Sequence, residues 1–388
     1  MSVIVPAKNE QAYITHTLRA LYHQTDALGQ PLDKSCYEVI VLANNCTDAT
    51  ASVARRFALT HPDFALHVAE RHFPADQANI GYVRRTLMDE AYRRFTVLSK
   101  PNGIIASTDG DSVVGPTWVF HTLQAFDQGA DAVGGRILTP AHHSDYRRYY
   151  LQDVTYRYLQ AQLESLIDPN PADPWPRHFQ NFGPSLAVTC AMYERAGRLP
   201  VAPYLEDVYF YAAMQRCDAR IRHCPRVQVV TSARPEGRVD FGFSQQLQQW
   251  ATMKRQGNPF EVPSGNTWWF RYRLQRQLRE AWQEGTYRVL EHVAAQSGAP
   301  VQQCYPMMTA PYFGQFLYCV MRSPEMLDYL AQFPLVPIAK AIRQLRALVR
   351  EATPSATVPT TALPTNPADT ARLDDDADAV MIDYLPTR

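Results

Sequence analysis

Apolar runs and amphipathic segments alternate through the first two-thirds of this chain. Ser2–Pro6 (SVIVP) and Glu38–Ala43 (EVIVLA) are short and almost continuously apolar, which predicts buried strands. Between them, Ile14, Leu18 and Leu21 recur at helical spacing and predict a helix near Glu10–Gln24. ATASVARRFA reads as a second helix, with Asp48 placed to cap it. Phe64–Ala69 is a weaker strand, Asn79–Phe95 a helix and Ile104–Thr108 a strand. A helix near Pro116–Gln128, a strand near Asp131–Leu138 and a Tyr- and Arg-rich helix over Asp145–Ile167 follow. The proline-rich DPNPADPWP (168–176) is a loop, Ser185–Ala191 is strand-like, and EDVYFYAAMQR (206–216) is a helix. From about 240 to 350 the pattern is helical, broken by QGNPFEVPSGN; the tail 352–388, rich in Pro, Thr, Ala and Asp, is expected to be disordered. Continuous apolar strands separated by helices indicate an α/β fold whose mostly parallel sheet is covered on both faces. Such sheets bind ligands beyond the carboxyl ends of their strands. Three polar clusters fall there: AKNE, NNCTD and TDGDS.

Composition narrows the function classes. Hydrophobic residues make up 46% of 388, enough for a sizeable core. Lys and Arg (38) balance Asp and Glu (38), so bulk charge gives no reason to expect a nucleic-acid partner. Seven scattered cysteines without a C-x-x-C pair favour reduced thiols and a cytoplasmic setting. No apolar stretch approaches the ~20 residues of a membrane span. SVIVPAKNE reads as a first core strand rather than a signal peptide.

The chemistry concentrates in STDGDS. Residues i and i+2 of an extended chain point the same way, so Asp109 and Asp111 can face one ligand, and Gly110 permits a tight turn. Their hard oxygens suit Mg2+ or Mn2+ with a diphosphate. The spacing alone is weak: DDDAD in the tail has it at Asp374/Asp376 and Asp376/Asp378, where it reads as solvated charge. The first pair differs in following an apolar strand. VIVPAKNE ends a strand at Pro6 and opens a helix at Asn9–Glu10; NNCTDAT does the same with Asn44, Asn45, Thr47 and Asp48. These polar groups either cap helices or read a nucleotide base. In NIGYVRR, Gly81 permits close backbone approach and Arg84 and Arg85 suit phosphate, or else a solvated helix face. Glu206–Asp207 opens a helix, where the dipole favours carboxylates; across a cleft from a diphosphate the same pair suits a general base.

In this order, VIVPAKNE, NNCTDAT, NIGYVRR, STDGDS, GPSLAVTCAMYERAGRLP and LEDVYFY resemble the family 2 glycosyltransferases, over about residues 2–235. The resemblance implies a Rossmann-like glycosyltransferase-A fold, a nucleotide-diphosphate sugar donor and Mn2+ or Mg2+. It implies that Pro6, Ala7, Asn9 and Glu10 line the nucleotide site, with Gly81, Arg84, Asp109 and Gly110 near the donor. Asn45 stands where the family often has an aspartate on the base, which leaves the base open. Asp109 and Asp111 would hold the metal, Gly183–Ala191 would border the acceptor, and Asp207 would be the base with Glu206 beside it. The expected organisation is a catalytic domain over 1–238, a helical region over 239–350 and a tail over 351–388. QLQQW keeps Gln246 and Trp250 of the Q-x-x-R-W motif of processive synthases but has Gln249 for the arginine, which argues against a processive synthase; Trp250 reads as core.

Secondary candidates are His142, His143 and His223 as a third metal ligand, and Arg234 or Arg238 on a phosphate. Cys190 reads as a small core residue within a strand. YRRYYLQDVTYRYL and NTWWFRYRL interleave rings with arginine, which suits a sugar acceptor, a subunit interface or packing against the core. The arginines and aromatics of the second also permit peripheral membrane association, so the inner face of the membrane is an alternative location. The expected reaction is an inverting single displacement onto an acceptor hydroxyl. The alternatives are a retaining transferase, a nucleotidyltransferase (PAKNE is not its usual Gly- and Lys-rich loop) and a non-catalytic sugar- or partner-binding homologue.

Overall fold

The computed structural model describes residues 1–139, 147–232 and 249–353, apart from 251, 254, 257, 258 and 286. Arg234, Arg238, His142, His143, Gln246 and the tail expectation lie outside the described residues. The described chain forms two compact units. The first takes residues from 1–139 and 176–232; the second takes 147–175 and the described residues from 249 onward. Residues 147–175 thus lie in the second unit although they fall inside the contiguous 1–238 segment.

The first unit is built on an eight-stranded sheet. Its strands are β1 (Ser2–Ala7), β2 (Glu38–Asn44), β3 (Leu66–Arg71), β4 (Ile104–Ser107), β5 (Val113–Val114), β6 (Ala132–Leu138), β7 (Leu186–Thr189) and β8 (Ile221–Val230). The order is β3-β2-β1-β4-β7-β6-β8-β5. β3, β2, β1 and β4 run parallel, as do β6 and β8, while β7 is antiparallel to both its neighbours and β5 is antiparallel to β8. The expected mixed α/β fold with a mostly parallel sheet is what forms.

The apolar strands are buried on both faces, which explains their unbroken hydrophobicity. Val3 and Val5 of β1 face one core with Ile14, Leu18 and Leu21 of α1 (Ile14–Tyr22), Ala54 and Phe57 of α2 (Thr50–Thr60) and Trp118. Ile4, between them, faces the other core with Leu87, Met88 and Ala91 of α3 (Ile80–Val97), and with Phe210 and Met214. A fully buried Val or Ile contributes about 1.5–3 kcal/mol, so a one-residue slip of β1 would forfeit several such terms. The next helices along the chain are α4 (Trp118–Asp127), α5 (Arg147–Ile167), α6 (Cys190–Arg195) and α7 (Glu206–Arg216). α3 is capped by Asn79, whose Oδ1 accepts from Tyr82 N at 3.0 Å.

Cys190 is a correction to the sequence reading. It is buried, as expected, but β7 ends at Thr189 and Cys190 opens α6. The Thr189 hydroxyl accepts from Met192 N at 3.1 Å, and that cap turns the apolar run from strand into helix.

The second unit is mainly helical: α5, α8 (Gly265–Glu284), α9 (Tyr287–Ser297), α10 (Phe313–Arg322), α11 (Pro324–Ala331) and α12 (Ile338–Ala352). β9 (Glu261–Pro263) falls in the break seen in the helical pattern and pairs antiparallel with β10 (Leu335–Pro337). One core joins Tyr156, Leu159 and Leu163 of α5 to Tyr272 of α8 and Ile342 and Leu345 of α12. Trp250 is 1% exposed and packs against Tyr150 and Phe260, as its core reading requires. The aromatic segment of α8 turns Tyr272 and Leu274 inward, in keeping with an amphipathic helix against a core. Among the described residues no helix is long and apolar enough to cross a membrane.

Candidate active site

The polar clusters meet beyond the carboxyl ends of β1, β2 and β4. The turn after β4 lies on the turn after β1: Gly110 N donates to Pro6 O at 3.3 Å, and Thr17 Oγ1 donates to Gly110 O at 3.0 Å. A β-carbon on Gly110 would sit 3.1 Å from Ala7 Cβ, 3.2 Å from Pro6 O and 3.3 Å from Glu10 Cγ. Glycine therefore allows the two turns to approach this closely. Asn9 has φ 53 and its Oδ1 accepts from Thr47 N at 2.8 Å; Glu10 N donates to Thr50 Oγ1 at 2.7 Å. Asp48 accepts from Thr50 N at 3.0 Å and from Gln11 N at 3.1 Å, so it both caps α2 and ties the turns together.

At the heart of the cluster lies Arg84, 4% exposed on α3. Its Nη2 donates to Asp109 Oδ1 at 2.8 Å and its Nη1 pairs with Glu206 Oε1. One guanidinium thus joins the carboxylate after β4 to the buried carboxylate at the start of α7. Asp207, beside Glu206, accepts from Gly183 N (Oδ2, 2.8 Å) and from Val208 N (Oδ1, 2.8 Å). Two backbone N–H groups therefore set the direction of this carboxylate. Leu205, the residue before the pair, has φ 59, a left-handed conformation that costs a leucine about 1–2 kcal/mol. The chain bears that strain where it aims two acids into the site.

The charge balance is uneven. Two carboxylates, Asp109 and Glu206, pair with the Arg84 guanidinium, and Asp111 and Asp207 lie close enough to act on the Asp109 carboxyl. Burial pushes the Asp109 carboxyl above the usual carboxylate range; Arg84 opposes this, while Asp111 and Asp207 add to it. About a quarter of the Asp109 side chain, 27%, is still exposed, so water moderates the effect. Hard oxygen donors in excess of the local positive charge fit a divalent cation at Asp109 and Asp111. Among the described residues no group of three His, Cys, Asp or Glu is arranged to hold a metal. His223 corrects one expectation: it is buried, meets Tyr211 Oη at 3.2 Å and the His178 ring at 5.7 Å, and completes no such group.

Two anticipated donor-side residues are engaged elsewhere. The Asn45 amide brackets the backbone of Phe73, donating to its carbonyl at 2.9 Å and accepting from its N–H at 3.1 Å. Gly81 faces Ala202, whose carbonyl oxygen would lie 1.9 Å from an added β-carbon. Two residues were not singled out in the sequence. Ser232, just beyond β8, hydrogen-bonds Asp111 Oδ2 through its hydroxyl. Gly183, besides holding Asp207, leaves room for the Arg84 guanidinium, whose Cζ would be 2.5 Å from an added β-carbon. Gly183 was legible only as part of the segment 183–191, and Ser232 carried no signal.

The model of the family described as Glycosyl transferase family 2 matches residues 2–179. The chain is similar to Glycosyltransferase AglE of Haloferax volcanii, 28% identical over 139 residues. That match covers 35% of this chain and only 39% of the length of that protein. Among solved structures, Staphylococcus (S.) aureus TarS 1–349 in complex with UDP is 14% identical with a TM-score of 0.42, covering 82% of this chain and 90% of that one. The mannosyltransferase PcManGT from Pyrobaculum calidifontis, in complex with GDP-Man and Mn2+, is 19% identical with a TM-score of 0.40, covering 82% and 85%.

Proposed function

We propose that this chain is a glycosyltransferase that moves a sugar from a nucleotide-diphosphate donor to an acceptor hydroxyl, with a divalent cation, by a single inverting displacement in which Asp207 is the base. One observation carries the reading: Arg84 links Asp109, beside Asp111, to the Glu206–Asp207 pair, so donor-side and base-side acids share one site. Pro6, Ala7, Asn9, Glu10 and Gly110 form the adjoining floor on which the nucleotide rests, and Gly183 borders the acceptor.

Asp109 and Asp111 are the residues to hold Mn2+ or Mg2+, which would supply positive charge as the diphosphate leaves. Asp207, oriented by Gly183 N and Val208 N, takes the proton of the acceptor hydroxyl as that oxygen attacks the anomeric carbon. Glu206 stays with Arg84 and fixes the start of α7. Asn45, committed to Phe73, contributes to the shape of the base pocket rather than to its hydrogen bonds.

Asp207→Asn tests the assignment. The asparagine keeps one acceptor oxygen for the backbone but cannot take a proton. We expect transfer to fall by about 100-fold or more while donor affinity stays within a few-fold, measured by donor consumption and by calorimetry. Comparable turnover in the variant would remove Asp207 as base. NMR of the product's anomeric proton separates inversion from retention.

A further inference from the structure

The second unit contains polar groups that the proposed chemistry does not use, on facing stretches of α5 and α8. Their register follows from three contacts: Trp268 Nε1 donates to Tyr156 Oη at 2.7 Å, Arg276 Nη1 to Ile167 O at 3.3 Å, and Arg279 Nη2 to Asp168 Oδ2 at 2.9 Å. With Tyr156 level with Trp268 and Ile167 level with Arg276, Gln160 comes level with Arg271. Three arginines of these stretches have carboxylates: Arg157 pairs with Asp153, Arg276 with Glu280 and Arg279 with Asp168. Among the described residues Arg271 pairs with none, and Arg273 lies over the Trp269 ring instead. Its guanidinium lies over the Trp268 ring, 5.2 Å from the centroid, beside Tyr156 and Tyr272. Its Nε is buried without a hydrogen bond, and so is Gln160 Nε2. Tyr156 Oη lies near both but already donates to Pro263 O at 2.7 Å and accepts from Trp268. Burial lowers the Arg271 pKa from its ordinary value.

Both orphaned atoms are donors, and one belongs to a fork-shaped cation. A partly buried cation and buried N–H groups are stabilised when an acceptor of opposite charge joins them. We propose that Arg271 and Gln160 form a binding site for a phosphate group, distinct from the acidic cluster of the first unit. The guanidinium takes two phosphate oxygens, the Gln160 amide a third, and the Trp268 indole holds the guanidinium plane. This site does not depend on the transferase reading.

Inorganic phosphate is the probe, compared with chloride at equal ionic strength in thermal melts of the full chain. Wild type is expected to gain about 2–4 °C at saturation. Arg271→Gln is expected to show no gain and, lacking a desolvated charge, to melt at or above wild type without phosphate. Arg271→Lys, which retains the charge, keeps part of the gain, and Gln160→Leu weakens it. No shift in wild type, or an equal shift in Arg271→Gln, overturns the site. Vesicles carrying phosphatidic acid, against neutral vesicles, give the source: Arg271-dependent binding assigns a lipid headgroup. A phosphate shift without vesicle binding assigns a soluble phosphate compound.

Discussion

Asp109 illustrates how a functional residue is held at some expense to the fold. Its carboxyl is raised chiefly by burial, with Asp111 and Asp207 adding to the push and Arg84 resisting it. For an acid with a raised folded pKa, the favourable contribution is complete below its ordinary value and is lost as pH rises through the raised one. Above that window, with no cation bound, the ionised group therefore costs the fold stability. Asp109→Asn keeps an acceptor for Arg84, which retains Glu206 as its ionic partner. We expect this variant to melt at or above wild type at pH 7, with the gap closing as pH falls through that window, and to lose Mn2+-dependent donor binding. Melts across pH and calorimetry measure both; a variant that melts well below wild type at pH 7 would refute the argument. The acids were legible in the sequence because Asp109/Asp111 and Glu206/Asp207 are local patterns at predictable places. Arg84 as the link between them was not, since its role depends on partners 25 and 122 residues away. Asn45 was ambiguous for a related reason: an amide after a strand looks the same whether it is free to face a base or, as here, also holds the backbone of Phe73.

At the scale of elements, β1, β2 and β4 were readable because strands buried on both faces have no polar residues to confuse their pattern. β5, two residues long, and the switch from β7 to α6 were not, because a short bridge has no period and a threonine cap acts through one hydrogen bond. Gly81 shows how element packing can resemble ligand chemistry. Alanine in a helix is favoured over glycine by about 1 kcal/mol, so Gly81→Ala would stabilise an open first turn of α3. Here the new methyl would meet the Ala202 carbonyl at 1.9 Å, and backbone cannot step aside as a side chain can. The substitution is therefore expected to destabilise by about 1–3 kcal/mol, read as a lower urea midpoint with unchanged slope. A midpoint equal to or above that of wild type would mean that α3 does not need this close approach.

For the whole molecule, the alternation of strand and helix predicted an α/β first part and a helical later part, and both are present. What contiguous reading could not supply is the partner of α12. Ile338, Ile342, Leu345 and Val349 form a plain amphipathic stripe, but the surface they cover includes α5, nearly two hundred residues earlier. Sequence periodicity tells which face of a helix is buried and nothing about what buries it. The second unit is therefore assembled from segments distant in the chain, and one core holds α5, α8 and α12 together. Leu345 is fully buried in that core. Leu345→Ala removes its side chain from a site lined by three helices, with an expected loss of about 2–5 kcal/mol. Because the cavity opens between all three, amide protection should fall together in α5, α8 and α12 when followed by hydrogen exchange. Loss of protection confined to α12, with α5 unchanged, would mean that the helix carries its own stability and that the long-range core does not act as one cooperative unit.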